Sequence, residues 1–299
     1  MIIAKLIGGL GNQMFQYALG RHLAYKYQTH LKLDIFELNQ NNADVNFTKR
    51  YYELDKFNIQ AKVWNSTLLN CWISNKWPKD NLYLKWKLFA GTTKLVSEQD
   101  KRFQPEILNL GPNLYLNGYW QSEQYFNRID KIIKAEFTLK QNILDQYLES
   151  PGFRKIKEKI KSTNAVSIHF RRGDYVSRPE TNKFHGTCTK EYYHKAVDMI
   201  ASRIDHPHLF LFSDEPDWID ENFKTDLPST RIEGYPGFID MYLMSHCRHN
   251  IIANSSFSWW GAWLNPNPDK IVVAPRKWFA IDEINNKASD LVPSNWIRC

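Results

Sequence analysis

The chain opens on a strand, a glycine-rich turn, a helix and a second strand, and that order constrains the fold more than any other feature. Residues 2–7 are short and rich in β-branched side chains, and Gly8-Gly9-Leu10-Gly11 interrupts them. From Asn12 onward Met14, Phe15, Ala18, Leu19 and Leu23 recur at helical spacing, and residues 30–35 alternate as a strand does. A strand–helix–strand succession predicts a parallel sheet. A second series begins near residue 150, where Ser150-Pro151-Gly152 breaks the chain and a basic helix follows. Strands are predicted at 165–170, 208–212, 250–253 and 270–274, separated by helices at 190–204, 216–223, 237–247 and 256–264. The reading is α/β: two Rossmann-like domains, 1–150 and 151–299, facing across a cleft that is the default ligand site.

Composition narrows the function. With 299 residues there is room for two domains and a substantial core. The net charge is +7, yet no run of five Lys or Arg occurs and no Gly–aromatic RNA-binding signature is present. The balance favours a phosphorylated small molecule over a nucleic acid. The densest positive stretch, RKIKEKIK from Arg154 to Lys161, reads as the solvated face of a helix, with at most peripheral contact to an acidic membrane. Four cysteines are scattered without a C-x-x-C pair, which suggests reduced thiols rather than a zinc site or disulfides. No signal-like segment opens the chain and no stretch approaches ~18 apolar residues, so an intracellular, cytoplasmic protein is expected.

Three motifs fall where strands end. Gly8 to Gln13 joins a strand to a helix; glycines there let backbone N–H groups approach a ligand, and Asn12 and Gln13 are expected to face the crevice. Gly9 and Gly11 with Asp34 downstream also suggest half of a dinucleotide fingerprint, although Met14 stands where its third glycine belongs. His169-Phe170-Arg171-Arg172-Gly173-Asp174-Tyr175 follows the strand at 165–170. Alternation puts His169 and Arg171 on one side and Arg172 on the other. One guanidinium can then clamp a phosphate while the other pairs with a carboxylate such as Asp174. Asn254-Ser255-Ser256-Phe257 opens a helix whose serines can cap it and cradle an anion, while Trp259, Trp260 and Trp263 read as core. Asp214 ends another strand, either accepting hydrogen bonds from a guanine edge or a ribose, or capping the helix that begins at Pro216. No D-x-D pair, Walker loop or metal-ligand spacing is present, so a diphosphate would be neutralised by arginine and helix ends.

These residues carry a resemblance. GGLGNQMFQYA at 8–18, HFRRGDY at 169–175 and IIANSSFSWWGAWL at 251–264 resemble the bacterial α-1,2-fucosyltransferases of glycosyltransferase family 11; GYWQSEQYF at 118–126 and FSDE at 212–215 fit the same pattern. The resemblance implies a GT-B architecture, with GDP-β-L-fucose on the C-terminal half and the acceptor on the N-terminal half. It implies inverting transfer to the 2-hydroxyl of a terminal β-galactoside in bacterial surface-glycan synthesis, with no metal and no cofactor. By the same resemblance Arg171 meets the diphosphate, His169 contacts the nucleotide, Ser255, Ser256 and Phe257 form the phosphate-contacting stretch, and Asp214 sits near the guanosine. Gly9, Gly11, Asn12 and Gln13 would line the sugar-transfer site. Asp174 is the carboxylate nearest the motif and the candidate base, although an ion pair with Arg172 would depress its pKa. Acceptor choice is assigned to the motif-free stretch 40–113, whose aromatic residues, with Tyr119 and Trp120, are candidate stacking surfaces, core packing being the alternative reading for most of them. Two competing readings are an NAD-type oxidoreductase built on the first βαβ unit and a non-catalytic nucleotide-sugar-binding protein.

Overall fold

The computed structural model describes residues 1–39, 49–64 and 93–299, and of Asp174 only the backbone. Much of the stretch 40–113 assigned to acceptor choice therefore lies outside the described residues, as does Cys71. The chain divides into two units, Met1–Leu54 with Ile59–Glu136, and Asp55–Asn58 with Phe137–Cys299.

The first unit is built on β1 (Ile2–Lys5), α1 (Leu10–Lys26), β2 (Leu31–Asp34), β3 (Lys62–Val63), β4 (Lys94–Ser97), β5 (Leu114–Asn117) and α2 (Asp130–Glu136). Its sheet runs β3-β2-β1-β5-β4, and every pair is parallel. Ile2 of the central β1 pairs with Leu31 on one side and Leu114 on the other, so the apolar run of β1 is buried on both faces. Helix α1 is buried almost all round, and its buried polar side chains find partners. Tyr17 Oη donates to Glu136 Oε2 at 2.5 Å and Arg21 Nε to Oε1 at 2.9 Å. Burial and that carboxylate push the Tyr17 phenol well up.

The second unit continues with α3 (Gln141–Leu148), α4 (Pro151–Ser162), β6 (Asn164–Phe170), α5 (Gly173–Ser177), α6 (Pro179–His185), α7 (Lys190–Ala201), β7 (Pro207–Ser213) and α8 (Pro216–Asn222). It ends with β8 (Ser229–Ile232), α9 (Gly237–His246), β9 (His249–Ile251), α10 (Ser256–Trp263), β10 (Val272–Ala274), α11 (Asp282–Asn286) and β11 (Ile297–Arg298). The strand order is β11-β10-β9-β6-β7-β8, again parallel throughout. The division falls at Glu136 rather than at 150 because α3 belongs to this unit: the Tyr147 ring lies 5.8 Å from Phe153 and 6.2 Å from Tyr235. Trp259 and Trp260 are fully buried and Trp263 nearly so, with Trp259 Nε1 donating to the Leu291 carbonyl at 2.8 Å. These rings are core, as expected from their spacing. Helix α4 buries Phe153 and Ile160 and turns Arg154, Lys155 and Lys161 to solvent. Cys188, Cys247 and Cys299 are free thiols. Among the described residues no helix is long and apolar enough to cross a membrane.

Candidate active site

In a parallel sheet the carboxyl ends of the strands share one edge, and ligands bind where the strand order reverses direction. In the second unit β6, β7 and β8 step one way and β9, β10 and β11 the other, so the switch lies between β6 and β9. The segments leaving those strands are the two sequence motifs, His169–Asp174 and Asn254–Phe257.

Arg171 leaves β6 and forms an ion pair with Asp214, which leaves the neighbouring β7. The same carboxylate accepts the backbone N–H of Arg172 at 2.9 Å. Gly173 makes this possible: its φ is +31°, and a Cβ there would stand 2.5 Å from Asp214 Oδ2. The face of the Arg171 guanidinium lies over the Tyr175 ring at 5.1 Å. Arg171 is thus held by an edge and a face, and a guanidinium has five N–H donors to distribute. Arg172 turns the other way, as alternation requires, onto Trp218 at 4.3 Å. Its partner is Glu215, at 3.0 Å, and not the Asp174 expected from the sequence. Asp174 lies in α5, and its side chain is outside the described residues. Asp214 therefore organises both arginines and does not cap α8, which has no side-chain cap; Ser213 Oγ accepts Glu215 N–H at 2.9 Å in the turn before it.

His169 is buried against Phe257, with ring centroids 5.3 Å apart, which ties the Arg171 strand end to the start of α10. Its Nδ1 is buried without a partner. Burial, aided by the Arg171 charge, pushes the imidazole down to about 3, so it stays neutral and ready to exchange a hydrogen bond with a ligand. Ser255 caps α10, its Oγ accepting Phe257 N–H at 3.3 Å, and Ser256 opens the helix. Asn254 secures the approach by donating to the carbonyls of His185, Gly186 and Trp278 at 2.9, 3.2 and 3.2 Å. His185 stacks on Tyr175 at 4.6 Å, so the contacts close a ring from Arg171 through Tyr175, His185, Asn254 and Phe257 to His169. At the far end of α10 the Lys270 ammonium caps the carbonyls of Ala262, Trp263 and Asn265 at 2.7, 3.2 and 2.8 Å. With a cation on its last carbonyls, α10 keeps the positive end of its dipole at Ser255 and Ser256, beside the His169–Phe257 contact.

One group of this rim escaped the sequence reading. Asp240 lies in the first turn of α9, which leaves β8, and Gly237 one turn earlier is packed against Phe257. Its Oδ1 is buried with no partner, and burial pushes the carboxyl up to about 7. Its signal was present: in GFIDMYLMSH it is the one acid of an otherwise apolar helix.

In the first unit the strand order reverses between β1 and β5. Gly8 takes φ +78°, turning the chain into α1, and Gly9 caps the helix with its backbone exposed to the Arg50 guanidinium, 3.8 Å from where a Cβ would stand. Gly11 is buried beneath them. Gln13 corrects the sequence expectation. It is fully buried, donating to the carbonyls of Gly8 and Tyr51 at 3.0 and 2.7 Å and accepting Glu53 N–H at 3.1 Å. A crossing segment with unpaired backbone groups needs a donor and an acceptor together, and a primary amide supplies both. Asn12 stays part-exposed, and its Oδ1 accepts from Gln121 Nε2 at 2.8 Å. Asp34 is buried and engaged by Tyr115 Oη at 2.6 Å and Phe36 N–H at 2.9 Å. Those contacts account for Asp34 within the fold, without a ribose. Among the described residues no three His, Cys, Asp or Glu side chains gather as a metal site requires.

The chain resembles proteins of known kind along its whole length. It is 35% identical to an α-1,2-colitosyltransferase of Escherichia coli, over 100% of this chain and 98% of that protein. It is also 35% identical to the O-antigen biosynthesis glycosyltransferase WbnK of Escherichia coli, over 98% of each. Among solved structures, a mutant of Arabidopsis thaliana FUT1 in complex with GDP superimposes with a TM-score of 0.52 at 9% identity, covering 99% of this chain and 75% of that one. That likeness concerns the fold, the two-unit GT-B type. The model of glycosyl transferase family 11 matches residues 3–299, and the chain belongs to that family.

Proposed function

We propose that the protein transfers L-fucose from GDP-β-L-fucose to the 2-hydroxyl of a terminal β-galactoside, with inversion and without a metal, in bacterial surface-glycan synthesis on the cytoplasmic side. The observation that carries this reading is the meeting of Arg171 and the amino end of α10 at the β6/β9 switch, joined by the His169–Phe257 contact. In such a transfer the acceptor oxygen attacks the sugar carbon opposite the leaving group, through an oxocarbenium-like transition state. Negative charge grows on the departing diphosphate. Arg171 and the positive amino end of α10 are fixed before the donor arrives, so they stabilise that growing charge without reorganising.

The nucleobase is assigned to Asp240 instead of Asp214. Asp214 is committed to Arg171 and to the Arg172 backbone. Asp240 carries a buried oxygen in need of a donor, and guanine offers two adjacent ones, N1–H and the N2 amino group. Adenine presents no such pair. His169, neutral and with Nδ1 unpartnered, completes the nucleotide contacts. Asn12 and the Gly9–Gly11 turn serve the acceptor on the first unit.

The test is incubation with GDP-L-fucose and lactose in the presence of a chelator, following released GDP and the fucosylated product. The relative that is named a colitosyltransferase calls for GDP-colitose in a parallel arm. Product in either arm supports glycosyl transfer from a GDP-sugar; tight GDP binding without product favours a binding protein.

A further inference from the structure

The first unit has its own switch point, between β1 and β5, and a strained turn stands there. Trp120, just beyond β5, takes φ +56°, a left-handed conformation that a bulky side chain adopts only under constraint. Three contacts hold it. Glu98 Oε1 accepts its backbone N–H at 2.9 Å, and its carbonyl accepts Ser122 N–H at 2.8 Å. The indole is 1% exposed and set edge-on against Tyr125 at 5.8 Å, so it is core and not the sugar-stacking surface expected from the sequence. Gly118 is required for this packing, because a Cβ there would stand 2.4 Å from Glu98 Cβ and 2.9 Å from the indole. Even so, Trp120 Nε1 is left buried without a partner, which carries a cost.

The strained turn delivers the next residue, Gln121, onto Asn12. Gln121 Nε2 donates to Asn12 Oδ1 at 2.8 Å, and no described residue donates to Gln121 Oε1. We infer that Gln121 is an acceptor-binding residue: its Nε2 sets the orientation of the Asn12 amide, and its Oε1 accepts a hydrogen bond from a hydroxyl of the incoming sugar. The ligand class is a glycan end with neighbouring hydroxyls, which an amide nitrogen and an amide oxygen side by side are shaped to pair with. Trp120 and Gly118 are positioning residues for that pair. The inference rests on the proposed reading that Asn12 serves the acceptor.

The experiment uses the full chain and lactose as acceptor. Gln121→Ala is expected to lower kcat/KM for the acceptor about 10- to 100-fold, chiefly through KM. The Kd for GDP, which belongs to the second unit, should stay within about twofold. Gln121→Met, of similar shape and without hydrogen bonds, gives the same reading should the alanine variant be unstable. Asn12→Ala should cost less in the Gln121→Ala background than alone, since the two amides act as a unit. An unchanged acceptor KM, or losses that simply multiply, overturns the inference. A wild-type chain that fails to turn over any GDP-sugar overturns the proposed function instead, and the two failures are distinguishable.

Discussion

Replacing Asp240 by Asn should make the free protein more stable and the nucleotide site worse, and the size of both effects follows from burial. The carboxyl is raised from its ordinary 3.8 to about 7, entirely by desolvation. The folded state therefore holds this proton more tightly than the unfolded chain. Its contribution turns against the fold as pH rises from about 4 through 7. Between pH 5 and pH 8 the penalty grows by roughly 2.5 kcal/mol at 1.36 kcal/mol per pKa unit. Asparagine carries no such penalty. For a chain of this size the melting-temperature gap between Asp240→Asn and wild type should widen by about 4 °C over that pH range. Saturating GDP supplies the two guanine donors and abolishes the gap. The affinity of the wild type for GDP should rise by about 50-fold from pH 5 to pH 8 beyond whatever the variant shows. The variant corrects for titration of the GDP phosphate itself, whose second pKa lies at about 6. Thermal melts at pH 5, 6, 7 and 8, with GDP, ADP or neither, make the measurement. Parallel melts of variant and wild type at every pH, or equal GDP affinity at pH 8, would refute the assignment.

His169 predicts the opposite sign. Its imidazole is held down to about 3 while an unfolded histidine protonates at about 6.5, so stability falls as pH drops through that window. About 2 kcal/mol should be lost between pH 7 and pH 5, and His169→Gln should remove that part of the acid slope in a denaturant titration. Lys270→Met leaves the carboxyl end of α10 uncapped and should cost about 1–2 kcal/mol, read as a melting point lower by a few degrees. Gly173→Ala forces a methyl against Asp214 and should loosen its hold on Arg171, lowering transfer about 10-fold or more while the melting point moves little. Unchanged turnover in that variant would remove Asp214 as the group that positions the arginine.

What the sequence disclosed followed burial. The strands at 165–170 and 208–212 were readable because a central parallel strand must be apolar on both faces, and the helices between them kept their spacing. β8, STRI, lies at the sheet edge with two of its side chains exposed, so it carries too little apolar signal to be seen. The α5–α6 pair at 173–185 was invisible for a related reason, since it works on Arg171 through the Tyr175 ring and on Asn254 through the His185 carbonyl more than on a core. The motifs disclosed which residues gather at the strand ends but not which touch each other. Gln13 looked like a ligand group because it is polar beside glycines, and only the crossing segment at Tyr51–Glu53 explains it. Arg172 pairs with Glu215, which follows the neighbouring strand β7 far along the chain, beyond the reach of any local pairing rule. Asp240 and Gln121 are set by contacts far apart in sequence, between α9 and Phe257 and between β5 and α1.

The rate of sugar transfer with Arg171 removed, measured in a single turnover at saturating GDP-fucose beside the Kd for GDP, tests the role of the arginine most directly. Loss of one preorganised charge donor at the leaving group predicts a fall of about 100- to 1,000-fold in the rate, equivalent to roughly 3–4 kcal/mol, for Arg171→Ala. The fall in GDP affinity should be much smaller. A rate within about threefold of wild type would contradict the claim that Arg171 and the start of α10 take up the charge of the departing diphosphate.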